Sequence, residues 1–438
     1  VLLLVLLLAA TGAWWFFTRM EHEPPVLVFA QEIRGIGKVA QSLVFTAEDR
    51  KLGLREVVVT ISQGSGTNEL LAERFEGGLF GGATKRKEFS VPFSAQAIGL
   101  RDGPALLAIA ARDWAIRGGG GNLVLREFPI MVDTTSPRIE LLALQNHVNQ
   151  GGSAVAVFRT NEPVTQAGVT VGERRFPAYP RVLGEGTSWV AYFAMPYDAV
   201  PGTPIMIDVA DMAGNPAKVP YPYLFHAKPL RSDRINLSDT FLRTKMAEFS
   251  ASDPSLGSDP VKVFLTVNNE WRRKNHETFR QMTASSRPER LWRGAFLQMQ
   301  NTKKMAGWAD RRTYVYGGKE IDAQTHLGLD LASTAGAPVP AANDGVVAFI
   351  GDLGIYGQTV LIDHGQGLFT GYSHLSSIGV TQGQTVKRGE TIGASGQTGM
   401  AGGDHLHFAV LIDGVFVSPY EWLDEHWIAD NVEAKIGG

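Results

Sequence analysis

Two histidines stand one residue apart in "GGDHLHFAVLIDG" (402–414), inside an apolar run. An imidazole placed among Phe, Val and Leu costs free energy unless its nitrogens are bonded. The run reads as a strand, whose side chains alternate faces. His405 and His407 then share one face, about 6–7 Å apart, and Leu406 takes the other. Alone, H-x-H is short enough to arise by chance, and two satisfied core histidines are the ordinary reading. "HLGLD" (326–330) changes the balance. On a straight strand His326 and Asp330 are about 13 Å apart. A bend at Gly328, or a turn of helix, brings them together. The chain has no cysteine, so a metal must be held by His, Asp or Glu, the ligand types zinc accepts when thiolate is absent. His326, Asp330 and one of the H-x-H pair make three protein ligands. Three ligands leave a position for water, the mark of a catalytic zinc site. The rival reading of His326 and Asp330 is a surface turn.

Six of the ten histidines follow residue 325, in about a quarter of the chain, where chance places two or three. His374 lies in "GYSHLS" (371–376). His364 lies in the "IDHG" turn (362–365) and reads as structural, since turn residues often bond backbone. "HETFR" (276–280) opens like the H-E-x-x-H metalloprotease helix, but position 280 is Arg. Without a second ligand, His276 and Glu277 read as a solvated helix face.

"HLGLD", "YSHLS", "SGQTGMAGGDHLHF" and the trailing "SPYEWL" resemble the lysostaphin/LytM-type zinc peptidases, which cut peptide cross-bridges of bacterial cell walls. The resemblance covers about residues 311–424. It implies a β-rich domain built from a duplicated hybrid motif. It also implies one Zn²⁺ held by His326, Asp330 and His407, with His374 and His405 as catalytic histidines. Members usually carry Pro or Thr before the H-x-H, where this chain has Asp404. No Glu stands at a motif position to act as base, so proton transfer falls to His374 and His405, which titrate in the useful range. One takes a proton from water and the other stabilises the oxyanion or protonates the leaving amine, in an order the residues leave open. Asp363 and Asp404 are candidate partners for an imidazole N–H.

These residues need elements to hold them. The 438 residues suggest about three domains, mainly β. Hydrophobic residues make up 44% and charged residues 19%, a globular composition. A net charge of −3 gives no reason to expect a nucleic-acid partner. Residues 1–17, "VLLLVLLLAATGAWWFF", carry no charge and end in four aromatics. They read as a membrane anchor within 1–20, with a cleaved signal sequence as the rival. The chain opens on Val, so a start further upstream is expected. The anchor reading places the bulk of the chain outside the cytoplasm, in the bacterial envelope.

Residues 26–133 and 137–225 alternate apolar runs with Gly, Asn and Pro clusters and resemble two immunoglobulin-like β-sandwiches. "LLAIAARDWAIRGGGG" (106–121) echoes "IMIDVADMAGNPAK" (205–218), with a loop tip at 118–121. Residues 235–310 have the apolar spacing of helices, beginning near Ser238 and Asp239, and form a linker or regulatory segment. Residues 311–424 are strand-rich. Within them "TAGAPV" (334–339) and "TQGQTV" (381–386) share T-x-G-x-x-V and suggest two related hairpin elements. Residues 425–438 form a tail. The function expected is zinc-dependent hydrolysis of peptidoglycan peptide stems, with the membrane contacted through residues 1–17. The rivals are a non-catalytic adaptor that activates other wall hydrolases, and a peptidase of another Gly-rich protein.

Overall fold

A computed structural model of the chain describes residues 2–30, 35–78, 80–116, 120–143, 146–181 and 187–437. Residues 118 and 119 of the expected loop tip lie outside them. Leu2–Arg19 forms one helix of 18 residues, about 27 Å long at 1.5 Å per residue. A bilayer core is about 30 Å thick. Among the described residues no helix is long and apolar enough to cross a membrane, so the expected membrane-spanning anchor at 1–17 is not supported.

The chain divides into two compact units. The first is Val1–Arg138 with Glu162–Thr165 and Ala210–Ala217; the second is Ile139–Asn161, Gln166–Val209 and Lys218–Gly438. In the first, a three-stranded sheet orders Val26–Phe29, Gln41–Glu48 and Arg86–Phe93. A five-stranded sheet orders Gly35–Ile36, Leu123–Val132, Gly103–Asp113, Leu54–Gln63 and Gly66–Arg74. Period-2 alternation supplies their common core: Leu43, Phe45 and Ala47 from one sheet meet Val57, Val59 and Ile61 from the other. Phe45 stacks on Phe89 at 4.8 Å.

The echo between 106–121 and 205–218 has a structural counterpart. Asp113 ends its strand and accepts from the N–H of Ala115 and Asn122 and from Asn122 Nδ2. Asp211 does the same with the N–H of Ala213 and Asn215 and with Asn215 Nδ2.

In the second unit, residues 137–225 contribute two four-stranded sheets and a parallel ribbon, though the division between units runs through this stretch. Ser238 caps the helix Asp239–Ser252, its hydroxyl accepting from Phe241 N. Pro260–Thr266, a π turn at Val267–Trp271 and Arg272–Met282 follow. Leu242, Met246, Phe249, Val263 and Phe264 pack with Leu361, Phe369 and Leu411 in one core. Helix does not continue over 283–302. Trp292 and Phe296 are buried, but their segment is extended between other elements: Leu291 N bonds His364 O, Phe296 N bonds Trp422 O and Leu297 N bonds Ala342 O. Pro288 and the positive φ of Gly294 fit that course.

A large antiparallel sheet orders Lys303–Ala306, Leu329–Ala332, Leu406–Ile412, Leu368–Leu375, Gln358–Asp363, Gly345–Asp352 and Thr385–Val386. Both T-x-G-x-x-V copies make the same turn. Thr334 O accepts from Ala337 N, and Thr381 O accepts from Gln384 N. Gly336 and Gly383 sit third, at φ of 69° and 84°, a position that glycine tolerates best. Val339 and Val386 are then buried.

Candidate active site

Strand register brings the first three residues together. Leu406–Ile412 is central, with Asp330 opposite His407 on one side and Ser373 opposite His407 on the other. Opposite residues face the same way, so alternation alone would turn His374 away. A bulge in the neighbouring pairing and a φ of 65° at His374 break the alternation. Its ring then lies 4.8 Å from that of His405 and 5.8 Å from that of His407. His405 and His407 share a face as expected: His405 Nε2 is 3.6 Å and His407 Nδ1 2.9 Å from Asp330 Oδ1.

His326 precedes the strand and bends back. Its Nε2 is 2.9 Å from Asp330 Oδ1 and 3.0 Å from His407 Nδ1. Gly328 allows this approach, though not by an unusual φ. A Cβ there would stand 2.5 Å from His407 Nε2, so the glycine leaves room for the imidazole.

The donor set fits a zinc ion. His326 Nδ1–H donates to Gly307 O at 2.7 Å, which leaves a lone pair on Nε2 in the neutral ring. That lone pair faces a carboxylate oxygen and His407 Nδ1, and a cation at the centre would satisfy all three as acceptors at once. The three donor atoms are 2.9–3.0 Å apart. Zinc–ligand bonds of about 2.1 Å in tetrahedral array need about 3.4 Å. All three residues are buried.

Backbone carbonyls orient the other rings. His374 Nδ1–H donates to Thr398 O at 2.9 Å and His405 Nδ1–H to Gly403 O at 2.8 Å, so each turns Nε2 the other way. Burial, then the neighbouring His405 and His407, hold His374 well below the usual imidazole range. Burial also disfavours charge on His405, but its bond to Asp330 and the charge of Asp330 outweigh it and raise its pKa. Burial opposes ionisation of Asp330 too, yet the three histidines around it hold it well below the carboxylate range. Burial draws His407 down to about 4.

Sequence reasoning missed Arg312, whose Nη2 donates to Asp330 Oδ2 at 2.7 Å. Its place follows from strand pairing, which no local motif reports. The expected imidazole partners, Asp363 and Asp404, are not there. Asp363 accepts from Ser286 Oγ and the N–H of Arg287 and Gly365. Asp404 accepts from Ser395 Oγ and Gly336 N. His364 is structural, bonded to Asp344 O and Thr370 Oγ1 in full burial. Glu277 is exposed beside Arg280, but His276 is not a solvated residue. Its Nε2 meets Tyr356 Oη at 3.0 Å, and burial pushes its pKa down to about 3.

The site opens into a cleft of about 410 Å³ lined by His326, Asp330, His374, His405 and His407, and also by Phe241 and Arg272 from the helical segment.

Residues 324–419 match the family described as Peptidase family M23. Over 94 residues the chain is 46% identical to the DD-carboxypeptidase/endopeptidase Mpg of Neisseria meningitidis, covering 22% of each chain. Over 89 residues it is 44% identical to the peptidoglycan DD-endopeptidase ShyA of Vibrio cholerae, covering 20% of this chain and 21% of that one. The chain thus spans about a fifth of the length of these curated relatives. The solved catalytic domain of lysostaphin from Staphylococcus simulans is 30% identical, with a TM-score of 0.25, over 28% of this chain and 92% of that one.

Proposed function

We propose that this chain, which carries a Peptidase family M23 domain at residues 324–419, is a zinc endopeptidase that hydrolyses peptide cross-links of bacterial peptidoglycan. The observation that carries the reading is the close triangle of His326 Nε2, Asp330 Oδ1 and His407 Nδ1 beside two rings that present Nε2. The substrate class comes from the relatives' names.

His326, Asp330 and His407 hold the zinc. When bound, zinc supplies Lewis acidity towards the scissile carbonyl and lowers the pKa of water towards neutrality. Arg312 neutralises the far oxygen of Asp330 and keeps the carboxylate oriented. His374 and His405 both present Nε2 once their Nδ1–H groups are bonded to backbone carbonyls, so one accepts a proton from water and the other donates to the developing oxyanion or to the leaving amine. Peptidoglycan lies outside the cytoplasmic membrane, so the protein works in the envelope. The β-rich residues 26–133 and 137–225 act there as immunoglobulin-like spacers.

The adaptor reading needs a defective site, and all five residues are present. The test is zinc per purified chain, with mass analysis of fragments released from purified sacculi and from an unrelated soluble protein. Zinc near one per chain and peptide cuts confined to sacculi are expected. Intact sacculi in the presence of bound zinc would sink the reading, and equal digestion of both substrates would favour a general peptidase.

A further inference from the structure

Part of the cleft wall comes from outside the M23 match. Ile235, Leu237, Phe241, Phe264 and Arg272 line the cleft together with the five site residues. Four of these wall residues are apolar, and Arg272 is the exception. It is half-buried and held from one side: Nε donates to Asn268 O at 3.1 Å and Nη2 to Asn268 Oδ1 at 2.6 Å. Asn268 is itself fully buried. Its Nδ2 donates to Asp322 Oδ2 at 2.7 Å, which fixes the amide with its oxygen towards Arg272. Asn268 sits in the π turn Val267–Trp271, a local widening often found at functional sites.

The guanidinium is therefore oriented, but among the described residues no carboxylate pairs with it. The other arginine on the cleft differs, because Arg312 is already bonded to Asp330. Asp233, which also lines the cleft, lies opposite Arg312 in strand register. Arg272 keeps three unused N–H groups. Arg272 and Asp330 act on Tyr356 in opposite senses, and the Tyr356 ring is 5.5 Å from the His407 ring.

We infer that Arg272 binds a free carboxylate of the substrate peptide and makes the site prefer peptides with such a group near the scissile bond. The inference rests on the endopeptidase reading. A planar, preoriented guanidinium with N–H groups to spare is suited to two-point recognition of a carboxylate.

The test uses the full chain and one batch of sacculi. Half is left untreated, and half has its free carboxyl groups amidated with carbodiimide and ammonia. The wild type should digest untreated sacculi faster. Arg272→Gln should lose about 10–100-fold in kcat/KM on untreated material, mainly through KM. It should change little on amidated material and keep its zinc. Arg272→Lys should recover part of the loss. A wild type that digests both materials alike would overturn the inference and leave the endopeptidase reading standing. So would an Arg272→Gln loss equal on both materials, or no loss on either. If the zinc-loaded wild type digests neither, the endopeptidase reading fails and takes the inference with it.

Discussion

Asp113 and Asp330 are both buried aspartates on strands, in different units, and they are spent differently. Asp113 takes its hydrogen bonds from residues 115 and 122, two from backbone N–H groups and one from the Asn122 amide. Among the described residues Asp330 is met by side chains alone: His326 four residues before it, Arg312 eighteen before it, and His405 and His407 from the neighbouring strand region. The first carboxylate staples a turn. The second leaves one oxygen shared among three imidazole nitrogens. Burial and residue type are the same, so the partners distinguish a structural aspartate from a chemical one.

Replacing ligands should break the comparison most strongly. Asp330→Ala and His407→Ala are expected to lose zinc and all measurable turnover, because each removes one of three protein anchors. Metal analysis and digestion of muropeptide dimers check this. A zinc-loaded His407→Ala would reverse the roles within H-x-H. His374→Ala and His405→Ala should keep their zinc and lose about 10²–10⁴-fold in kcat. The double variant should cost less than the sum if both rings serve one proton path. Next comes Arg312→Ala, expected to weaken zinc affinity about 10–100-fold, read by competition with a chelator.

Asp113→Ala tests the other side of the comparison. It strands the buried N–H of Ala115 and the half-buried N–H of Asn122 and should destabilise the first unit by roughly 2–3 kcal/mol, seen in its thermal transition. Activity on soluble muropeptides should not change. An equal loss of activity would mean that Asp113 contributes to the site.

The smallest effect concerns Glu421, which accepts from Asn149 Nδ2 and Ser153 N in nearly full burial. Burial lifts its pKa from 4.5 to about 7 despite those bonds. The folded chain therefore keeps a proton that the unfolded chain has released between these values. Stability should fall as pH rises from about 4.5 to 7, by on the order of 2–3 kcal/mol, and level off above. Glu421→Gln, with the Asn149 amide turned over to accept, should flatten that slope in denaturant titrations. An unchanged slope would show that another group carries it.

The legible part of this protein was the part written in side chains at fixed spacing. His405 and His407 declared a shared face through the period of a strand, and His326 and Asp330 declared a pair that the fold brings together. The cap at Ser238 and the turns at Gly336 and Gly383 were equally local. The groups that orient the rings were not legible, because Gly307, Thr398 and Gly403 act through carbonyls that every residue owns. Arg312 needed the pairing of strands, and His374 needed a bulge. Trp292 and Phe296 had helical spacing, yet their backbone amides found acceptors on other elements instead. The apolar run at the N-terminus gave a helix, but its length limited what could be concluded from its composition.

The order in which the chain is made bears on when the site can exist. Leu406–Ile412 lies between Leu329–Ala332 and Leu368–Leu375 in the sheet, although it is the last long strand to be synthesised. Until it emerges, its two neighbours lack the partner that joins them, and of His326, Asp330 and His407 only the first two have been made. The strand that joins the two halves of the sheet is thus also the one that completes this triad, so a chain truncated before residue 407 has neither.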